Sequence, residues 1–93
     1  MRQEITTMND LALAIRSARK AQGIRQDELA AMIPASHVFI IDVERGKPTA
    51  HIGKVLSVLR ELGIRVFVDV PESQAKLAKP ETVTMKKKSR RNG

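Results

Sequence analysis

The chain has 93 residues and a formal charge of +7, with no cysteine, tryptophan or tyrosine. That length supports one small domain, and the missing thiols exclude a disulfide framework and a thiolate metal site. His37 and His51 have no other ligand residues clustered around them, two phenylalanines are too few for a base-stacking platform, and no apolar run reaches the roughly 20 residues of a bilayer span. The start of the chain, MRQEITTMND, lacks the apolar stretch of a signal peptide. A soluble, intracellular, basic protein is expected, with no metal and no cofactor, and nucleic acid is the first partner to consider.

Residues 1–8 read as an N-terminal arm. The stretch DLALAIRSARKAQG then predicts a first helix, with Leu11, Ile15 and Ala18 at helical spacing, Asn9 as N-cap and Gly23 as the stop. QDELAAMI predicts a short second helix with Leu29, Ala30 and Ile33 inward and two acids in its first turn, where the helix dipole favours them. SHVFIIDVERG predicts a third, capped by Ser36, ended by Gly46 and anchored by Ile40 and Val43. TAHIGKVLSVLRELG predicts a fourth from Thr49 to Gly63, its apolar stripe formed by Ile52, Val55, Leu56, Leu59 and Leu62. Gly53 within it either allows a close helix crossing or is simply tolerated.

IRVFVDV alternates with period two and reads as a strand. Ile64, Val66, Val68 and Val70 share one face; Arg65, Phe67 and Asp69 share the other. A lone strand leaves its backbone groups unpaired. The weak RQEITT segment is the one candidate partner within the chain, and the same strand of a second copy is the more economical one. The alternative is an extension whose valines pack on the helices.

The charge is concentrated at the far end. Residues 1–70 hold ten Lys/Arg against eight Asp/Glu, and residues 71–93 hold seven against two. Residues 71–93 carry two prolines and few large apolar side chains, so they are expected to form a disordered basic tail. Two roles fit it. It is a solubilising extension, or it is an arm in which Lys86, Lys87, Lys88, Arg90 and Arg91 meet phosphates and release counterions.

Two helices joined by a short turn, the second capped by a serine, form the helix-turn-helix pattern. The run Gly23, Gln26-Asp27-Glu28-Leu29-Ala30, Ser36, Ile40 and Val43-Glu44-Arg45-Gly46-Lys47 resembles the Cro/cI-type (XRE) helix-turn-helix family. The continuation, one long helix and a terminal strand, resembles its HipB-like antitoxin branch. The resemblance covers roughly residues 9–70. It implies a mainly α fold, a four-helix domain with one C-terminal strand expected to pair across a homodimer. It also implies an ion pair between Arg19 and Glu44 that locks the first helix to the third. The third helix would enter the major groove. By position, Ser36, His37, Val38, Ile41 and Asp42 would face bases, and Arg25, Gln26 and Lys47 would lie near phosphates. For each of these the plain alternative is ordinary core or surface.

Three positions depart from the family pattern. Pro34 stands where the turn usually has a glycine with positive φ, so a differently shaped turn is expected. Arg25 replaces the Ser/Thr that caps the second helix, a loss of about 1 kcal/mol unless another group caps it. The first turn of the third helix holds no Arg, Asn, Gln or Lys, the common base readers.

No catalytic residues are expected: the sequence offers no nucleophile–base pair, paired carboxylates or glycine-rich phosphate loop. The resemblance implies a cytoplasmic bacterial repressor, on the nucleoid when bound, that reads palindromic double-stranded DNA. It implies as further partners a second copy of the chain and a HipA-like serine/threonine kinase toxin whose operon it autoregulates. The alternative is an interaction module that sequesters a partner protein and touches DNA only through its basic tail.

Overall fold

The computed structural model describes residues 1–73. They form four helices: α1 (Met8–Ala21), α2 (Gln26–Met32), α3 (His37–Glu44) and α4 (Ile52–Glu61). α3 packs against both α1 and α2. One core joins all four helices, built on Ile15, Leu29, Ile40, Val43, Val55 and Leu59, each 2% exposed or less.

The cap of α1 lies two residues before the expected one. Thr7 Oγ1 accepts the Asp10 amide at 3.2 Å, and Asp10 Oδ2 accepts the amides of Thr6 and Thr7 at 3.0 and 3.1 Å. This reciprocal box satisfies several orphan donors at once. Asn9 has no acid three residues on to complete such a box, and it lies inside the helix. Its side chain rests instead against Gly46, where any Cβ would run into Asn9 Oδ1. The N-terminal end of α1 is thereby seated on the turn that closes α3.

The start of α2 has no side-chain acceptor at Arg25, since a guanidinium only donates. Glu28 Oε1 accepts the Arg25 amide at 2.8 Å, and Asp27 Oδ1 accepts the Glu28 amide at 2.9 Å. The acids of the first turn thus stand in for the missing Ser/Thr. Ser36 caps α3 through Oγ, 3.0 Å from the Phe39 amide.

α4 starts at Ile52 rather than Thr49. Residues 47–50 form a turn closed by the Ala50 amide on the Lys47 carbonyl at 3.3 Å. His51 is the cap, its Nδ1 accepting the Lys54 amide at 3.3 Å. Gly53 makes room for that ring, because a Cβ there would sit 3.0 Å from His51 Cε1. The buried stripe is Val55, Val58, Leu59 and Leu62. Ile52 and Leu56, expected in it, are 65% and 41% exposed. At 100° per residue they fall to one side of the line through residues 55, 59 and 62.

All four helices close on a wrap-around bond. After α1, α3 and α4 a glycine with φ of +70°, +82° and +77° allows two such bonds, an outer and an inner. The outer bonds run Ile24 to Arg19, Lys47 to Asp42 and Ile64 to Leu59, at 3.1, 3.0 and 2.9 Å. α2 keeps the outer bond, Ala35 to Ala30 at 3.0 Å, but Pro34 occupies the glycine position at φ +21°. The turn after α2 therefore shares the outer bond with the other three and differs from them in lacking the inner one. The turn keeps its closing bond, and the proline is drawn about 85° away from its preferred φ of roughly −65°. The inner bond is missing because proline has no N–H.

The expected strand is not formed among the described residues. Residues 64–70 belong to no helix and no ladder. A strand exists only through its partner, and RQEITT supplies none within the chain. The valines do not pack on the helices either: Val66 and Val68 are 57% and 78% exposed. Ile64 is half-buried against the core, and Val70 is half-buried too.

Candidate nucleic-acid interface

Arg19 and Glu44 meet in a two-pronged ion pair beneath the N-terminal end of α2. Arg19 Nε and Nη2 donate to Glu44 Oε2 and Oε1 at 2.6 and 3.0 Å, and Nη1 donates to the Ile24 carbonyl at 2.8 Å. The side chains are 10% and 4% exposed. Shared burial with a bidentate fit and a third acceptor is the geometry in which such a pair offsets its desolvation. It fixes α3 against α1 from below while Ile40 and Val43 fix its inner face.

That leaves the other side of α3 open. Ser36, His37 and Val38 are exposed, and Ile41 and Asp42 are half-buried. Ser36 Oγ is committed to the helix cap as an acceptor and retains a proton to donate. Val38 and Ile41 offer methyl contacts. Asp42 faces a cation: its carboxylate Oδ2 lies 3.5 Å from Lys47 Nζ. That contact holds Lys47 beside the end of α3.

The expected phosphate contacts are placed unequally. Arg25 stands in an acidic surround, 3.1 Å from Asp27 and 3.7 Å from Glu28. The bond to Asp27, with the nearby charges, raises the Arg25 pKa and holds the Asp27 carboxyl below the usual carboxylate range. Gln26 is engaged inward by Glu44 at 3.1 Å and outward by His37 at 3.4 Å. Two arginines not singled out in the sequence stand near it. Arg16 and Arg45 line a cleft of about 380 Å³ together with Gln26, Ile41 and the Arg19–Glu44 pair. With Glu44 matched by Arg19, the cleft has a net positive rim suited to an anion. The available signal was spacing, since Arg16 precedes Arg19 by one helical turn and Arg45 directly follows Glu44.

The apolar run after α4 lies elsewhere. Leu56, Ile64 and Val66 line a second groove with Arg60 and Arg65. Two guanidinium groups lie over the Phe67 ring, Arg2 at 5.0 Å and Arg65 at 5.3 Å from its centre. Lys86, Lys87, Lys88, Arg90 and Arg91 lie outside the described residues. Among the described residues no cluster of His, Cys, Asp or Glu could hold a metal ion, and no helix is long and apolar enough to cross a membrane.

A buried lock under α3, an exposed first turn and a short capped α2 across it define a helix-turn-helix protein. No family model matches the chain. It is 45% identical over 76 residues to y4mF, an uncharacterized HTH-type transcriptional regulator of Sinorhizobium fredii, covering 82% of this chain and 100% of that protein. The chain belongs to the HTH-type transcriptional regulators. Its fold is that of HipB in a HipA–HipB–O2–O3 complex, with a TM-score of 0.69 and 22% identity over 76% of this chain and 100% of that one. HipB in an O4 20mer complex matches with the same TM-score of 0.69, 22% identity and 76% and 100% coverage.

Proposed function

We propose that the chain is a sequence-specific transcriptional repressor that binds a palindromic operator as a homodimer, one α3 per half-site. Half-sites about 10 bp apart, or a multiple, are the consequence of a two-fold axis. The observation that carries this reading is the division of α3: Ile40, Val43 and Glu44 are locked inward while His37 and Val38 are exposed in its first turn. The base-facing set is Ser36, His37, Val38 and Ile41. Lys47 and the Arg16/Arg45 cleft supply phosphate contacts, and the tail lysines and arginines add sequence-independent ones. The HipB structures, one of them a complex with HipA, support an antitoxin role beside a HipA-like kinase and repression of its own operon.

The deciding experiment is a salt titration of the intact protein against its own upstream DNA and a scrambled duplex. A preference of about 10³ or more at physiological salt is expected. Equal binding to both duplexes, collapsing as salt rises, would overturn the repressor reading.

A second reading rests on the apolar Val38 and Ile41 and on the neutralised Asp42. In it, α3 is a protein-docking surface and DNA is met only through general charge. The double variant Ser36→Ala/His37→Ala separates the two: lost sequence preference with an intact fold supports the repressor, and unchanged binding supports the docking module.

A further inference from the structure

Pairing of two like strands leaves open which residue stands opposite which, and that register decides which partner is accepted. The run from Ile64 to Val70 has an order of its own. Read from either end it is apolar, charged, apolar, aromatic, apolar, charged, apolar, and its two charges, Arg65 and Asp69, are opposite in sign. Both are exposed, so neither is committed to the core. The Arg65 guanidinium lies over the Phe67 ring, which puts these two side chains on one side of the chain. Two donors at the start of the run are already used: the Gly63 amide bonds the Arg60 carbonyl at 3.0 Å, and the Ile64 amide bonds that of Leu59 at 2.9 Å. Pro71, which follows the run, has no N–H. Among the described residues the amides of Arg65 to Val70 meet no backbone acceptor.

We propose that Arg65 and Asp69 select the second copy: the two-fold axis passes at Phe67, and each Arg65 meets the partner's Asp69. This rests on the homodimer proposed above, with residues 64–70 as its antiparallel pairing run. An axis between two residues would set the valine face of one strand against the charged face of the other, whereas an axis on a residue sets like face on like. Centred on Phe67, every position of the run is matched: Ile64 with Val70, Arg65 with Asp69, Val66 with Val68, and Phe67 with itself. Centring on Val66 sets Phe67 against Arg65 and Asp69 against Gly63; centring on Val68 sets Phe67 against Asp69 and Arg65 against Pro71. The used donors then fix the phase of the ladder. Opposed pairs alternate between exchanging two hydrogen bonds and none. Ile64 has no amide to give, so the bonded pairs are Arg65 with Asp69 and Phe67 with Phe67. The next bonded pair would be Gly63 with Pro71, and neither has a free N–H, so the ribbon ends where its charges end. Opposite charges set directly across a strand pair attract and like charges repel. A chain without a cation at 65 and an anion at 69 is therefore disfavoured as a partner.

The test uses the full chain and two charge reversals, Arg65→Asp and Asp69→Arg, each alone and the two mixed. Dimer strength is read by sedimentation equilibrium at low salt, where screening is weak. A mass tag on one variant lets native mass spectrometry tell mixed pairs from like pairs. Each variant alone is expected to dimerise about tenfold or more weakly than the unaltered chain, because like charges are then opposed at both ends of the ribbon. The mixture is expected to recover the unaltered strength to within about threefold, and to do so as mixed pairs, because every cation of one chain then meets an anion of the other. Variants that dimerise alone as well as the unaltered chain, or a mixture that gains nothing over its components, overturn the inference, while the dimer of the unaltered chain keeps the homodimer reading. An unaltered chain that is monomeric overturns that reading and the inference with it. Residues 65 and 69 are exposed, so the fold does not depend on them, and circular dichroism confirms it.

Discussion

Pro34 and the Arg19–Glu44 pair represent two opposite kinds of residue. Pro34 is at odds with its backbone: φ is +21° and the inner turn bond is absent. Pro34→Gly restores an N–H for the Ala31 carbonyl, worth about 0.5–1.5 kcal/mol, against about 1 kcal/mol for the freer unfolded chain. The urea midpoint is expected to hold or rise slightly; a fall corresponding to about 1 kcal/mol or more would show that the ring stiffens the turn. Glu44→Ala acts the other way. It leaves the Arg19 guanidinium buried without its partner, and a loss of about 3–5 kcal/mol is expected in the same measurement. Replacing both with Arg19→Met and Glu44→Leu should recover most of that loss, because an apolar pair leaves no stranded charge.

At the scale of elements, the boundaries that were legible are those written in one side chain. Ser36 announces α3 because its hydroxyl is the acceptor. The glycines after α1, α3 and α4 announce the ends because few other residues turn left-handed. α1 and α4 were misplaced for one shared reason: several polar residues precede each helix, and the residues downstream of them decide which one caps. Thr7 wins over Asn9 through Asp10; His51 wins over Thr49 because a turn takes up residues 47–50. The Asp10 cap has a pH consequence. Bonds from Thr6 and Thr7 hold its carboxyl below the ordinary aspartate value of 3.8. A depressed folded pKa means stability present above that ordinary value and lost as pH falls through the lower folded one. Thr6 and Thr7 amide protection should therefore be flat from neutral pH to about pH 5 and fall in more acid solution. Asp10→Asn should abolish the acid step; a step of the same size in that variant would assign it elsewhere.

For the molecule as a whole, the helical core was readable from periodicity, and the fate of residues 64–70 was not. Alternation in IRVFVDV reports a two-faced ribbon but says nothing about where its hydrogen bonds go. Among the described residues only the Ile64 amide of this run finds a backbone partner, Leu59, while Val66, Phe67 and Val68 remain exposed, as do Ile52 and Leu56. Pairing of this run across a two-fold axis would satisfy both the backbone and the valines, and it is our proposal for the dimer. Ile64 must be kept in any test, since its amide closes α4 on Leu59. Truncation after Arg65 should give a folded monomer by sedimentation equilibrium; a dimer of the same strength would place the interface on the helices. The site was legible only as a set of positions. Whether Asp42, Arg25 or Gln26 is available depends on neighbours that spacing does not reveal.

The two-sided character of α3 also sets the terms for exchanging it with that of a relative. Ile40, Val43 and Glu44 answer to the scaffold and have to stay, and so does Gly46, whose hydrogen fits against Asn9 on another helix. Val38 and Ile41 can be transplanted singly. His37 cannot, because its partner at Gln26 lies in the preceding helix, eleven residues away in sequence. A graft bounded by α3 would separate residue 37 from the residue it meets in α2, so an exchange that keeps this contact changes residue 26 together with residues 37, 38 and 41 and leaves Ile40 in place.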